Sequence, residues 1–310
     1  MLPSRAIRAA AWGVVAVGIA APLVRRRMGL RPPVVAVTAA AAPFALCVAT
    51  RRTPARDVAT CTLQMWAYLA AYQMPHDDPQ ALERRVHISY PVFIDTVLGG
   101  GMPPTLRLQR RFARAGLVGR ADQVLVWAHW LWFLVPHTAM VYVLARDREH
   151  FGHHAALMYA TFDIGLIGYW ALPTAPPWYA AERNRLAPGR ELELRRLMYE
   201  HGEAFWKGGW RPLYAFLGGN PLAAMPSLHF ATSLMAAHIL SEVGPVEGAV
   251  GWTYTLTLGF ALVYLGEHYL VDLLAGLALT EGIRAAAPRA APALVAVSRV
   301  MQRLEARAHA

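Results

Sequence analysis

The feature that most restricts this 310-residue chain is a series of six apolar stretches, each about as long as a helix that crosses a bilayer. They cover residues 6–24, 34–50, 124–144, 155–172, 227–241 and 249–265. At about 1.5 Å of rise per residue, a hydrocarbon core of roughly 30 Å asks for about 17–25 such residues. Lipid offers no water to backbone N–H and C=O groups, so a spanning segment must satisfy them internally, as a helix does. A seventh stretch, 269–287, is interrupted by Asp272 and Glu281, and an eighth, 58–74, carries Gln64 and Gln73. The expectation is an all-α integral membrane protein, a bundle of six to eight transmembrane helices.

Composition supports a lipid environment and removes other classes. Hydrophobic residues make up 56% and charged ones 16%, against roughly 45–50% and 25% in soluble globular chains. That content excludes disorder, and the absence of a glycine period excludes a collagen-like chain. Cys47 and Cys61 lie in or beside apolar runs and give neither a disulfide framework nor a cysteine zinc site. The net charge of +10 comes from arginine, with Lys207 the single lysine. In a membrane protein it points to anionic headgroups and not to nucleic acid.

The first apolar run ends in Arg25-Arg26-Arg27, a stop-transfer flank, so it reads as a retained span and not as a cleaved signal. Residues 1–56 are expected to form an N-terminal transmembrane hairpin, 57–287 a membrane core, and 288–310 an amphipathic tail on the membrane surface. Two polar connections interrupt the core. Residues 76–121 are rich in arginine and read as short interfacial helices. Residues 173–225 open with Pro173-Thr-Ala-Pro-Pro-Trp178 and pass through a charged, helix-like segment at 191–203.

Two motifs carry chemistry, and each opens an apolar helix. In Ala224-Met-Pro-Ser-Leu-His-Phe230, Pro226 suits a helix start because its missing N–H has no partner there, which puts Ser227 and His229 in the first turn. Free N–H groups and the positive dipole end favour an anion such as phosphate at that turn. In Gly266-Glu-His-Tyr-Leu-Val-Asp272, His268 and Asp272 are four residues apart on one helix face. The carboxylate can then hold one imidazole nitrogen and leave the other to attack or to move a proton. Asp163, His129 and His137 also fall inside spans, where hydrogen bonding between helices is the expected role. The clusters His76-Asp77-Asp78 and His153-His154 have no matched partner for a metal, so no metal is expected.

Together these strings resemble the type-2 phosphatidic acid phosphatase superfamily, whose signatures include P-S-x-H and a later H-x-x-x-D. The longer strings Asn220-Pro-Leu-Ala-Ala-Met-Pro-Ser-Leu-His229 and Glu267-His-Tyr-Leu-Val-Asp-Leu-Leu-Ala-Gly276, with Pro173–Trp178 upstream, are most similar to the branch containing fungal inositol phosphorylceramide synthase. The likeness covers roughly residues 124–282. It implies His268 as a nucleophile forming a phosphohistidine, Asp272 as its orienter and His229 as general acid. Ser227 and neighbouring backbone N–H groups would hold phosphate oxygens. Two family motifs are altered. The K-x₆-R-P pattern is here Lys207-Gly-Gly-Trp-Arg211-Pro212, and Ala261 and Leu262 stand where S-R-x₅-H would begin. Lys207 and Arg211 are the candidate phosphate cations.

The expected function is hydrolysis of a lipid phosphate ester, without cofactor or metal, with a lipid phosphate or phospholipid as partner. Transfer of a phosphoinositol or related headgroup to a lipid alcohol is the nearest rival, because only the acceptor differs. A transporter or flippase would be expected to show two related half-sequences, and none is apparent. With eight spans and a cytoplasmic N-terminus, both histidines face outward, and Arg51, Arg52, Arg56, Arg146, Arg148 and the basic tail lie inside. Arg25–Arg27 and Arg31 fall on the opposite side from that rule, and the resemblance implies the outward orientation, so the expectation is a plasma-membrane protein with an outward-facing site.

Overall fold

The computed structural model describes residues 4–114, 116–187, 194–218 and 220–310, and among them the regular elements are helices, joined in places by isolated β-bridges. The chain divides into two compact units, Met1–Asp77 with Ile283–Ala310, and Asp78–Gly282.

In the first unit, α1 (Ser4–Met28) and α2 (Pro32–Ala49) are both long and apolar enough to cross a membrane. They approach closely at Gly18, where a Cβ would meet the Thr38 carbonyl oxygen at 2.6 Å. The third helix, α3 (Pro54–Gln73), is capped by the Thr53 side chain and packs with this hairpin. Arg25 and Arg26 both pair with Asp77, at 2.7 and 2.6 Å, so one carboxylate meets two charges of the basic run that forms the last turn of α1.

The second unit holds both motifs. The connection read as interfacial forms α4 (Pro79–Arg85), α5 (Ser89–Leu98) and α6 (Pro104–Phe112), and α6 buries Leu106 and Gln109 while Arg107, Arg110 and Arg111 stay exposed. The stretch at 124–144 is not one straight span. It forms α7 (Arg120–Leu131) and α8 (Val135–Arg146), bent by 57°. The cause is Pro136, which lacks an N–H and whose ring would collide with the Trp132 carbonyl in a continuous helix. Counted as one broken span, this pair makes a third crossing candidate beside α1 and α2. Next come α9 (Phe151–Ala171) and the short α10 (Pro177–Glu182). The charged segment at 191–203 is described only from residue 194, where it leads into α11 (Leu197–Trp206), followed by α12 (Trp210–Gly218).

The remaining helices are α13 (Leu228–Val243), α14 (Pro245–Tyr264) and α15 (Leu270–His309). The tail expected to begin at Pro288 is no separate element, because α15 runs through Pro288 and Pro292 without a break. Each proline removes one hydrogen bond from a forty-residue ladder, and the bonds on either side hold the helix together.

Candidate active site

Three extended segments bring the motifs together. His87 N–H donates to Pro173 O at 2.8 Å and Ala175 N–H donates back to His87 O at 3.0 Å. On the other side Thr174 N–H donates to Leu222 O at 3.1 Å and Ala224 N–H to Thr174 O at 3.0 Å. The Pro173–Trp178 string is therefore the middle member of a bridge that leads straight into Met225-Pro226-Ser227. Helix α9 closes on the same point, where a Cβ at Gly168 would meet Pro226 Cδ at 2.7 Å.

Helix α13 begins at Leu228, one residue later than expected, and Ser227 is its N-cap, not a member of the first turn. Pro226 stands just outside, after a cis Met225–Pro226 bond. The Ser227 hydroxyl accepts from Phe230 N–H at 3.3 Å, and Leu228 N–H donates to the Tyr169 hydroxyl at 3.4 Å. Ser227 N–H donates to the Asp272 carbonyl at 3.0 Å, which ties the first motif to the second. Ser227 is fully buried and its hydroxyl is engaged in capping. A Cβ at Gly276 would meet the Ser227 carbonyl oxygen at 2.8 Å, so glycine at that position lets α15 lie against the start of α13.

The second motif straddles the start of α15: His268 lies in the bend before the helix and Asp272 in its first turn, so the two meet without sharing a helix face as the spacing suggests. The His268 Nδ1 lies 3.2 Å from Asp272 Oδ2, and the same oxygen accepts from Tyr269 N–H at 2.9 Å. On its other side His268 Nε2 lies 3.1 Å from His229 Nδ1. His268 is 3% exposed and Asp272 0%. An ionised carboxylate only accepts, so His268 Nδ1 is the donor to Asp272, Nε2 carries the lone pair, and His229 Nδ1–H donates to it. The sequence pairing of His268 with Asp272 is thus realised, and His229 joins it from another helix.

The bend between α7 and α8 places aromatic and polar rings over His229. Trp132 lies 4.2 Å from the His229 ring, fixed by its Nε1–H donating to Thr232 Oγ1 at 2.9 Å. His129, buried, lies 4.9 Å from the same ring. Among the described residues no three His, Cys, Asp or Glu side chains converge as metal ligands.

Lys207 is exposed, and Arg211 is 79% exposed and pairs with Glu203 at 3.2 Å. Arg196, which sequence reasoning did not single out, stacks on the Trp178 ring at 4.1 Å and donates to the Tyr214 hydroxyl at 2.9 Å. Trp178 N–H in turn donates to Gly266 O, two residues before His268. Glu267, half-buried beside His268, has its carboxyl pushed up to about 7 by burial, with Arg196 and His268 pulling it down in part. Asp95 was also missed. It is fully buried in α5 and accepts from the backbone N–H groups of Leu270 and Val271, both at 2.9 Å. Burial pushes its carboxyl up to about 6 against those two bonds.

Residues 118–286 match the family model described as PAP2 superfamily. The chain is 31% identical over 123 residues to the inositol phosphorylceramide synthase catalytic subunit of Schizosaccharomyces pombe, covering 37% of this chain and 27% of that protein. It is 30% identical over 162 residues to inositol phosphorylceramide synthase of Candida albicans, covering 49% and 33%. With phosphoinositol dihydroceramide synthase of Bacteroides thetaiotaomicron it shares 27% over 139 residues, covering 43% and 44%. The aligned region thus spans less than half the length of each of these relatives. No solved structure matches the chain. The family match covers more than half of the chain and contains both histidine motifs, and the chain belongs to the PAP2 superfamily.

Proposed function

We propose that this protein is a membrane-embedded lipid phosphatase that works through a phosphohistidine. The observation that carries the reading is the Asp272–His268–His229 line, 3.2 and 3.1 Å between successive atoms, because it gives one imidazole an orienter and a facing proton donor. A phosphoryl group enters by parting the two histidines. The His268 Nε2 lone pair forms the N–P bond, the P–O ester bond breaks, and the departing oxygen takes the Nδ1 proton of His229, which enters the step as the imidazolium beside the anionic substrate and leaves it as the neutral ring. Water then gives a proton to His229 and attacks phosphorus, and the N–P bond breaks to release phosphate. Asp272 keeps the His268 tautomer and stabilises the positive charge on the ring.

Phosphate oxygens are assigned first to Arg196, ahead of Lys207 and Arg211, because its contact with Trp178 joins it to the turn that carries His268. The membrane placement in this proposal is six to eight crossings, formed by α1, α2, the α7–α8 pair, α9, α13, α14 and the first part of α15, with α3 as the eighth. The site faces outward at the plasma membrane.

The names of the relatives supply a second reading. Two are inositol phosphorylceramide synthases and one is a phosphoinositol dihydroceramide synthase, so a lipid alcohol in place of water is a specific alternative acceptor. Incubating purified protein with lipid monophosphates and phosphodiesters, with and without a lipid alcohol, separates the two by mass spectrometry. Free phosphate alone supports the phosphatase, and a headgroup-bearing lipid supports the transferase. Silence on every substrate contradicts both.

A further inference from the structure

We propose that Asp95 is a positioning residue for the nucleophile, a clasp delivered from α5 to the first turn of α15; the role rests on the reading of His268 given above. A helix start leaves N–H groups without intrahelical partners, and a side chain just before the helix usually takes them. The residue before α15 is Tyr269, which cannot cap in that way, and its own N–H is taken by Asp272. The first two helical N–H groups, on Leu270 and Val271, are taken instead by Asp95, one by each carboxylate oxygen and both at 2.9 Å, from 175 and 176 residues away.

The position of the clasp gives it a function. Leu270 and Val271 lie between His268 and Asp272, so Asp95 grips the segment that joins nucleophile to orienter. A shift or rotation of that turn changes both the 3.2 Å contact with Asp272 and the 3.1 Å contact with His229. Packing reinforces it, since Ile88 and Val92, shortly before Asp95 in the chain, share a buried cluster with Tyr269 and Leu106. A fully buried carboxylate is costly unless paired, and here both oxygens make charge-assisted bonds to one helix end. Asp95 acts through His268 and Asp272 and need not touch the substrate.

The test uses the full chain with Asp95→Asn and Asp95→Ala. Asparagine is isosteric but turns an NH₂ toward one of the two donors, so it removes half of the clasp and retains the shape. Amide hydrogen exchange should accelerate at Leu270 and Val271 in both variants, with α13 and α14 unchanged. The kcat should fall by about 10–100-fold, the scale of an ångström-sized misplacement. KM should stay within about twofold of wild type, and formation of phosphoprotein should slow by the same factor as kcat. Faster exchange with wild-type kcat in Asp95→Asn overturns the positioning role, as does a loss carried wholly by KM. Unchanged exchange in both variants overturns the clasp itself. If the wild-type chain turns over no lipid phosphate, the proposed function fails, and the clasp then stands or falls on exchange alone.

Discussion

The starts of α13 and α15 each present a histidine, and they are finished with opposite chemistry. At α13 the first-turn donors go to neutral oxygens, the hydroxyls of Ser227 and Tyr169. At α15 they go to carboxylates, Asp95 for Leu270 and Val271 and Asp272 for Tyr269. The positive end of α15 is thereby neutralised, whereas the positive end of α13 keeps its field. An anionic phosphoryl group is therefore better placed on the α13 side, where His229 can protonate what leaves. His268 is held on the α15 side by negative charge that favours a cationic ring. In the proposed scheme one helix end receives charge and the other holds the attacking group.

The strongest way to break this contrast is to remove a group from the α15 side. His268→Ala should lose all turnover on every phosphate ester, because no other nitrogen replaces the nucleophile. Asp272→Asn should cost roughly 10⁴-fold and leave a measurable rate, since the nucleophile remains but its tautomer is no longer fixed. Chelators should leave the wild-type rate unchanged, and chelator-sensitive activity restored by one divalent ion would contradict the scheme.

On the α13 side the loss should depend on the substrate. His229→Ala should fall by about 10²–10⁴-fold on a lipid alkyl phosphate, where the leaving oxygen needs a proton, and far less on an aryl phosphate with an acidic phenol. Equal losses on both would remove His229 as the acid. The cation assignment sharpens the comparison further. Arg196→Ala should lower kcat/KM by roughly 10²–10³-fold, as for a donor aimed at developing phosphoryl charge. Arg196 and Arg211 each pair with a glutamate, Glu182 and Glu203, but Arg211 is far more exposed, so Arg211→Ala should have the smaller effect, and the reverse order would return the cradle to the α11–α12 turn.

The smallest effect concerns stability. Glu267 holds its proton to about pH 7 in the folded chain, whereas in the unfolded chain it loses it near the ordinary value of 4.5. Its contribution to stability is therefore most favourable below pH 4.5, falls as pH rises to 7, and is constant and unfavourable above that. Glu267→Gln should be more stable than wild type by up to about 3 kcal/mol at pH 8, with the advantage vanishing toward pH 4. Thermal unfolding in detergent across that range checks the slope, and parallel curves would contradict it.

The sequence revealed those features whose chemistry is local. The four-residue spacing pointed to the His268–Asp272 pair, although a helix-start turn and not a shared helix face brings the two together, and the two motif helices follow from their apolar runs. Ser227 shows where local reasoning stops, since a serine before a helix can cap the turn, give its O–H to an anion or do both, and the cap itself becomes visible only in the Phe230 N–H contact. The break at Trp132 was implicit in Pro136, but a run of apolar residues conceals a bend that costs little inside a helical bundle. Pro288 misled in the opposite sense, because a helix with intact bonds on both sides tolerates it. Asp95 and Arg196 had no local signal at all, as their partners arrive from distant parts of the chain.

The central claim is that His268 carries the phosphoryl group. The most direct measurement is rapid quenching of wild-type protein during turnover of a lipid phosphate, under alkaline conditions that preserve phosphoramidates, followed by peptide mass spectrometry. The account predicts phosphate on His268 within milliseconds to seconds of mixing, acid-labile, and lost at the rate of product release. Phosphate on another residue, or a phosphoprotein that persists in His268→Ala, would contradict it.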